Sequence, residues 1–407
     1  MKNISSEALM DNQIAVTANS RTDWFSIVVL TIAAIVFVTA ELLPVGIIRE
    51  ISASFAEPIG KTGLMVTGYA WTVAISAVLI TAFLTPLERR VLLLVITIIF
   101  AVANFLVACA PSLNILFIAR ILGAFSHGVF WSTVGPLCVR LSGNSSKARA
   151  TAMVFGGIAI ATVIAVPVGT LLTQWLGWRL AFAMIAVMSF LITITIWIRF
   201  PKLPSDSIGA LNQISQLLRH PLMRRLMPAT ALALTGHFCA FTYISLLLEQ
   251  HLGIAHHFLA WYLFLFGCAG VIGNWLAGLL NDHHLCRASQ WIMIMMASVI
   301  IAAACLPKGA NLSAALLVII WGAGICLLTV TLQSLILTLP SQLTDTASSL
   351  HVSMFNTGIG AGALLGGLCV DYLSPQIAAW SGGAMLLMAA IFLGLPITQN
   401  LTKNSLA

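Results

Sequence analysis

Charge is what this sequence has least of. Twelve acidic and 19 basic residues in 407 leave the chain 8% charged, against about 25% in a soluble globular domain. So few charges cannot cover a water-facing surface, and a soluble fold is excluded. Paired cysteines are missing too. Cys109, Cys138, Cys239, Cys268, Cys286, Cys305, Cys326 and Cys369 include no C-x-x-C and mostly lie in or beside apolar runs, as small buried hydrophobes do. There is no H-E-x-x-H, G-x-S-x-G or Walker loop, so metalloprotease, serine-hydrolase and ATP-driven chemistry have no signature. His256-His257 and His283-His284 are adjacent pairs, and neighbours on a helix point to different sides, which is poor metal geometry. Nothing calls for a cofactor or a metal. No basic run carries interleaved aromatics, so the net charge of +7 does not point to nucleic acid. A receptor would want a sizeable soluble domain, and there is none. A membrane enzyme or a receptor is therefore a remote alternative.

What the chain has is apolar length. Hydrophobic residues make up 60% of it. They fall into runs at 24–48, 63–86, 91–110, 113–139, 150–175 and 178–200, then 226–248, 258–281, 286–306, 312–339, 346–373 and 376–397. About 20 residues span a bilayer as a helix. The pattern predicts an all-α membrane protein of twelve transmembrane helices in two six-helix pseudo-repeats. The expected parts are a tail at 1–23, a bundle at 24–200, a linker at 201–225, a second bundle at 226–397 and a tail at 398–407. The first run is too long for a signal-peptide core and is expected to stay as a span. Basic residues collect on the cytoplasmic side of membrane proteins. With the N-terminus inside, Arg49, Lys61, Arg179 and Lys308 face outward, Arg120 lies within a run, and the other 14 of the 19 face inward. Both termini are then cytoplasmic. Duplication shows in small residues at four-residue spacing: Gly157, Ala161, Ala165 and Gly169 on the fifth helix, and Gly358, Gly362 and Gly366 on the eleventh. Such faces let helices approach closely in lipid.

Glu41 is the lone carboxylate well inside an apolar run, and Arg120 the lone Arg or Lys. A charge at the bilayer centre costs about 2.5–3.5 kcal/mol on insertion scales, so each marks a functional site. Both lie about seven residues from the outer ends of their helices, a depth of about 10 Å. They can meet if helices 1 and 4 face each other. Burial and a nearby guanidinium act on a carboxyl group in opposite senses, so small changes in distance or hydration can switch its protonation. A permanent bridge that fixes packing is the plainer alternative. His127 follows Arg120 by two helical turns on the same face, and Trp131 by one more. His127 is a candidate proton carrier or cavity-lining group. Trp71 and Trp131 can stack on a sugar or a base. In the second half, His237, Tyr243, Gln333 and Asn356 are neutral polar groups within spans, suited to an uncharged polar solute. Asp371 is expected to be solvated, and Pro44, Pro167 and the glycines of the eleventh helix to be bending points or packing contacts.

These residues resemble the major facilitator superfamily along nearly the whole chain. The loop signature after the second helix of each half reads roughly G-x-L-x-D-R-x-G-R-R. Gly278, Leu280, Asp282 and Arg287 match it, with His283 in place of Arg. In the first copy Thr81 and Thr85 replace Gly and Asp, and Arg89-Arg90 are kept. Arg120-Ile-Leu-Gly123 with Gly128, Pro167-Val-Gly169 and Gly177-Trp178-Arg179 are further matches. Within the superfamily the chain is similar to bacterial sugar efflux transporters of the drug/proton antiporter branch, the arabinose efflux permeases among them. The matching stretches are Glu41-Leu-Leu-Pro44-Val-Gly46, Tyr69-Ala-Trp71, Glu88-Arg-Arg90, Ala124-Phe-Ser-His127-Gly-Val-Phe130-Trp131, His237 through Tyr243, and Phe355 through Gly362. The resemblance implies a proton-coupled antiporter of the bacterial inner membrane. It would export a small polar solute, sugars foremost, by alternating access, working as a monomer. Glu41, Arg120 and His127 would couple protons. Tyr69, Trp71, His127, Trp131, His237, Tyr243, Gln333 and Asn356 would bind solute. Arg89, Arg90, Gly278, Asp282 and Arg287 would gate. Purine ribonucleosides or drugs as cargo are the alternative.

Overall fold

The computed structural model describes residues 22–77, 87–142, 147–203, 216–280 and 284–394. Both tails except residues 22 and 23, residues 204–215 of the linker, and Thr81, Thr85, Asp282 and His283 lie outside these. Twelve helical units follow one another among the described residues. In the first half they are α1 (Trp24–Phe55), α2 (Ile59–Ile75), α3 (Arg89–Ala108), α4 (Leu113–Leu141), α5 (Lys147–Ile160, Ala161–Ala165 and Val166–Leu176) and α6 (Trp178–Arg199). In the second half they are α7 (Pro221–Phe241, then Ile244–Leu246 and Leu247–His251), α8 (Leu259–Ala277), α9 (Leu285–Cys305), α10 (Asn311–Leu337), α11 (Ser341–Tyr372) and α12 (Pro375–Gly394). Ten of these are long and apolar enough to cross a membrane, and the two limbs of α7, bent by 44°, make an eleventh. Helix α2 is described over 17 residues.

Several helices outrun their apolar stretch. Helix α1 continues from 48 to Phe55, α7 starts at Pro221 rather than 226, and α11 starts at Ser341 rather than 346. Hydropathy marks what lipid can cover, whereas backbone hydrogen bonding carries a helix on through polar residues until a cap or breaker stops it. Asp23 starts α1 by accepting the Ser26 N–H at 3.1 Å. Pro44 lies inside α1, and Ile47 just beyond it leaves helical geometry (φ −132°, ψ 15°). Pro167 lies at the start of the last stretch of α5, directly after the π-turn Ala161–Ala165. Both prolines thus sit at distortions, because each withholds the N–H that its preceding turn needs.

The two small-residue stripes do the same work. Gly157 and Gly169 of α5 lie against Thr31 and Leu43 of α1, while Gly358, Gly362 and Gly366 of α11 lie against α7. The fifth helix of each half therefore beds on the first, which supports the internal duplication. The halves meet where α2 packs on α11, α5 on α8, and the far end of α1 on α7. At that end Arg49 pairs with Glu249 at 2.6 Å, and His256 lies 2.5 Å from Glu249 and 3.3 Å from Glu50.

Candidate functional site

The site starts from a carbonyl that α1 cannot satisfy. In a helix the N–H of residue 44 would bond the carbonyl of residue 40, but Pro44 has no N–H. In an apolar interior that free carbonyl needs another donor. Arg120 of α4 supplies it, its Nη1 donating to the Ala40 oxygen at 2.6 Å. The guanidinium lies 4.0 Å from the centre of the Tyr69 ring, where ring and cation attract. Its Nε and Nη2 are buried without a hydrogen-bond partner. One carbonyl and one ring therefore anchor the cation and leave half of its fork open.

Tyr69 extends the cluster. Its hydroxyl is 2.7 Å from His127 Nδ1. The contact depends on Gly128: a Cβ there would lie 3.0 Å from the Val73 carbonyl, so glycine lets α2 come close to α4. On the other side of the imidazole, Trp131 Nε1 donates to His127 Nε2 at 2.7 Å. An indole nitrogen only donates. His127 Nε2 is therefore an acceptor here, and the ring hydrogen is on Nδ1, facing the Tyr69 oxygen. Glu41 Oε2 lies 3.5 Å from the same Nε2. Carboxyl group and indole thus contend for one nitrogen. Phe37, stacked between Phe100 and Phe130 at 3.8 and 4.5 Å, meets the imidazole edge-on and walls the cluster.

The expected proton-coupling residues thus come together, but not as the simple pair. Glu41 and Arg120 do not form an ion pair in this structure. The guanidinium takes the carbonyl one residue before Glu41, because Pro44 leaves that oxygen bare, and the carboxyl group turns to His127.

The expected solute-binding residues divide. Tyr69, His127 and Trp131 belong to the cluster. Trp71 is half exposed, and its indole N–H donates across the halves to the Thr357 carbonyl at 3.2 Å. Gln333 bonds Ser348 at 3.3 Å. Asn356 donates to the Val352 carbonyl at 3.0 Å, and its own oxygen is buried without a partner. His237 sits within the second half, accepting the Trp321 indole N–H at 3.0 Å and stacked on Phe241. Tyr243 donates its hydroxyl to the Ala363 carbonyl of its own half at 2.9 Å and lies against Gly63 of α2 in the other half. Of the residues expected to gate, Arg89 and Arg90 hold the end of α6 and the chain just after it. The Arg89 N–H bonds the Leu203 carbonyl at 3.0 Å, and the Arg90 side chain bonds the Trp197 carbonyl. Gly278 follows α8, and Arg287 is exposed on α9. Asp282 lies outside the described residues.

One expectation is incomplete. Asp371 is exposed, as expected, but its carboxylate also accepts the N–H groups of Gly60 and Lys61 at 2.7 and 3.2 Å. Helix ends in other parts of the chain supply such partners, and sequence alone does not show who lies opposite. The reading also missed Phe37, Phe100 and Trp321. The one available signal was Pro44, four residues after Ala40, which announces a free carbonyl.

The sequence profile of the Major Facilitator Superfamily matches residues 25–351 and again 226–406. Among solved structures, the chain is similar to a bacterial homolog of the human lysosomal transporter Spinster, in an inward-facing and unoccupied conformation. That match has a TM-score of 0.70 at 16% identity and covers 91% of this chain and 94% of the other. A D-xylose–proton symporter matches with a TM-score of 0.71 at 15% identity, over 92% of this chain and 98% of its own. At these identities the likeness is one of fold.

Proposed function

The chain belongs to the Major Facilitator Superfamily, and from that premise we propose that it is a proton-coupled antiporter exporting a small polar solute, sugars foremost, by alternating access. One observation carries the reading. Glu41 stands between two competing partners, the His127 ring at 3.5 Å and Arg120, whose unpaired N–H groups are buried one residue away.

The chemistry of the cluster gives the two protonation states different partners. A carboxylate accepts only, and a guanidinium binds it through two parallel N–H groups. Deprotonated Glu41 therefore turns to the open side of Arg120. Protonated Glu41 has a hydroxyl to donate, and His127 Nε2 accepts it in competition with Trp131. Glu41 is on α1, whereas Arg120, His127 and Trp131 are all on α4, so a change of partner shifts α1 along α4. The distortion at Pro44 and Ile47 is where α1 can yield. In the transport cycle Glu41 takes its proton when the site is open to the more acidic outside. It releases the proton after the reset to the cytoplasmic side. Loading of solute then goes with the Glu41–Arg120 pairing.

The groups expected to bind solute are neutral. Trp71, Trp131, Gln333 and Asn356 offer amide hydrogen bonds and aromatic faces, which suit hydroxyl-rich, uncharged molecules. We place the protein in the bacterial cytoplasmic membrane with both termini inside, acting as a monomer. The test is flux in proteoliposomes under an imposed pH gradient, comparing pentoses and hexoses, purine nucleosides and cationic drugs. Uphill movement of a sugar against the proton gradient is expected. Gradient-driven flux of nucleosides or cationic drugs alone would overturn the substrate class. Sugar flux indifferent to the gradient would overturn the coupling.

A further inference from the structure

Helix α2 begins without a cap of its own. Its N-cap residue is Pro58, which makes no side-chain cap. The first four N–H groups of any helix lack partners within it, and N-cap side chains usually serve them. Here the other half of the molecule serves two of them. Asp371, near the end of α11, accepts the Gly60 N–H through one carboxylate oxygen at 2.7 Å and the Lys61 N–H through the other at 3.2 Å. The Lys61 ammonium is not the partner, because it is bound to Glu57 at 2.8 Å. The approach requires glycine on both sides. A Cβ on Gly60 would lie 2.6 Å from the Asp371 carboxyl carbon, and one on Gly367 would lie 3.1 Å from the Gly60 Cα. Below this contact, the Tyr243 ring fills the gap between Gly63 and Gly366.

We infer that Asp371 is a detachable cap: it completes α2 only while the two halves touch at this end, and so sets how firmly this end stays shut. The contact joins α2 of the first half to α11 of the second. When the halves part, Gly60 and Lys61 lose their acceptor, while each half keeps its own packing. The whole value of the cap therefore goes into the balance between closed and open forms. An ordinary N-cap is worth a factor of about five, and the negative charge at a helix N-terminus adds to it. The inference rests on the halves separating at this end, as alternating access requires. It does not depend on the solute or the proton.

The test is a distance measurement between spin labels at Ala53 and Leu312, in full-length protein without substrate. Both sites are exposed at this end, one in each half. The exposed Cys109 and Cys305 are replaced by serine in the background. The parent should show mainly a short distance. Asp371→Ala should shift the closed-to-open ratio about tenfold towards a longer distance. Asp371→Asn, which keeps an acceptor oxygen and loses the charge, should shift it less. An unchanged distribution in Asp371→Ala, including one accompanied by lower thermal stability, would reduce Asp371 to a structural cap and overturn the inference. If the alanine variant does not fold, Asp371→Asn decides: a parent-like distribution overturns it and an intermediate one supports it. Because no gradient or cargo is involved, failure here leaves the proposed transport reaction standing.

Discussion

Each half of the molecule buries one histidine against a tryptophan, and the two surroundings differ in chemistry. In the first half His127 accepts the Trp131 indole N–H at 2.7 Å, and in the second His237 accepts that of Trp321 at 3.0 Å. Both rings are almost fully buried and flanked by phenylalanine. Around His127, however, stand a carboxyl group, a phenol and a guanidinium. Around His237 stand Phe238, Phe241, Phe266 and Trp321. In the proposed function the same pair of side chains is a proton site in one setting and a packing element in the other. What separates them is whether the ring has neighbours that can change their charge.

Substitutions can break or sharpen this contrast. The largest effect is expected for Glu41→Gln. Glutamine keeps the size and hydrogen-bonding capacity but carries no exchangeable charge, so solute accumulation should fall to the level seen without a gradient. Solute binding, followed by calorimetry in detergent, should persist. Full gradient-driven accumulation in this variant would move the proton site elsewhere, with His127 next in line.

Arg120 comes second. Arg120→Ala strips the Ala40 carbonyl of its donor and removes the fork, so transport should be lost. Thermal stability should also drop, since a buried hydrogen bond to a charged group is worth about 1.5–3 kcal/mol. Arg120→Lys restores a donor without the planar fork and should recover stability more fully than transport. Equal recovery of both in melting and flux assays would mean that the fork has no role in coupling.

The two histidines can then be compared directly. His127→Leu should abolish coupled transport, whereas His237→Leu should leave it close to the parent. The second variant should still lose stability, because the Trp321 N–H would be buried without an acceptor at a cost of about 1–3 kcal/mol. Adding Trp321→Phe removes that orphaned donor and should return part of the loss. This is the smallest effect and the sharpest, since it separates packing from chemistry at one site. A His237→Leu protein that folds normally but does not transport would place His237 in the transport path after all.

The fold was largely legible from composition and spacing. Eleven of the twelve apolar runs correspond to described helices that meet the length and hydropathy required of a span, with α7 counted as one bent pair. Lipid imposes that pattern residue by residue, so it is written locally. The site was legible in part. A lone buried acid and a lone buried base stand out against apolar neighbours, and Tyr69, His127 and Trp131 gather with them. The role of His237 was not legible, because a histidine near aromatic residues reads the same whether it faces a solute or a core. Nor was the role of Tyr243, whose phenol closes a seam formed by glycines from two other helices.

The sequence by itself determined the membrane-spanning helices, the two-fold plan and the shared level of Glu41 and Arg120. Each of these follows from the cost of polar groups in hydrocarbon, which acts on every residue where it stands. Only the tertiary structure decided partners. Pro44 guarantees a bare carbonyl at Ala40, but not that Arg120 rather than another donor will find it. Pro58 leaves α2 uncapped, but not that Asp371, 311 residues from Gly60, will supply the acceptor. Hydrogen bonds are short and directional, so their partners are fixed by which helices pack side by side, and that choice is made by the whole chain.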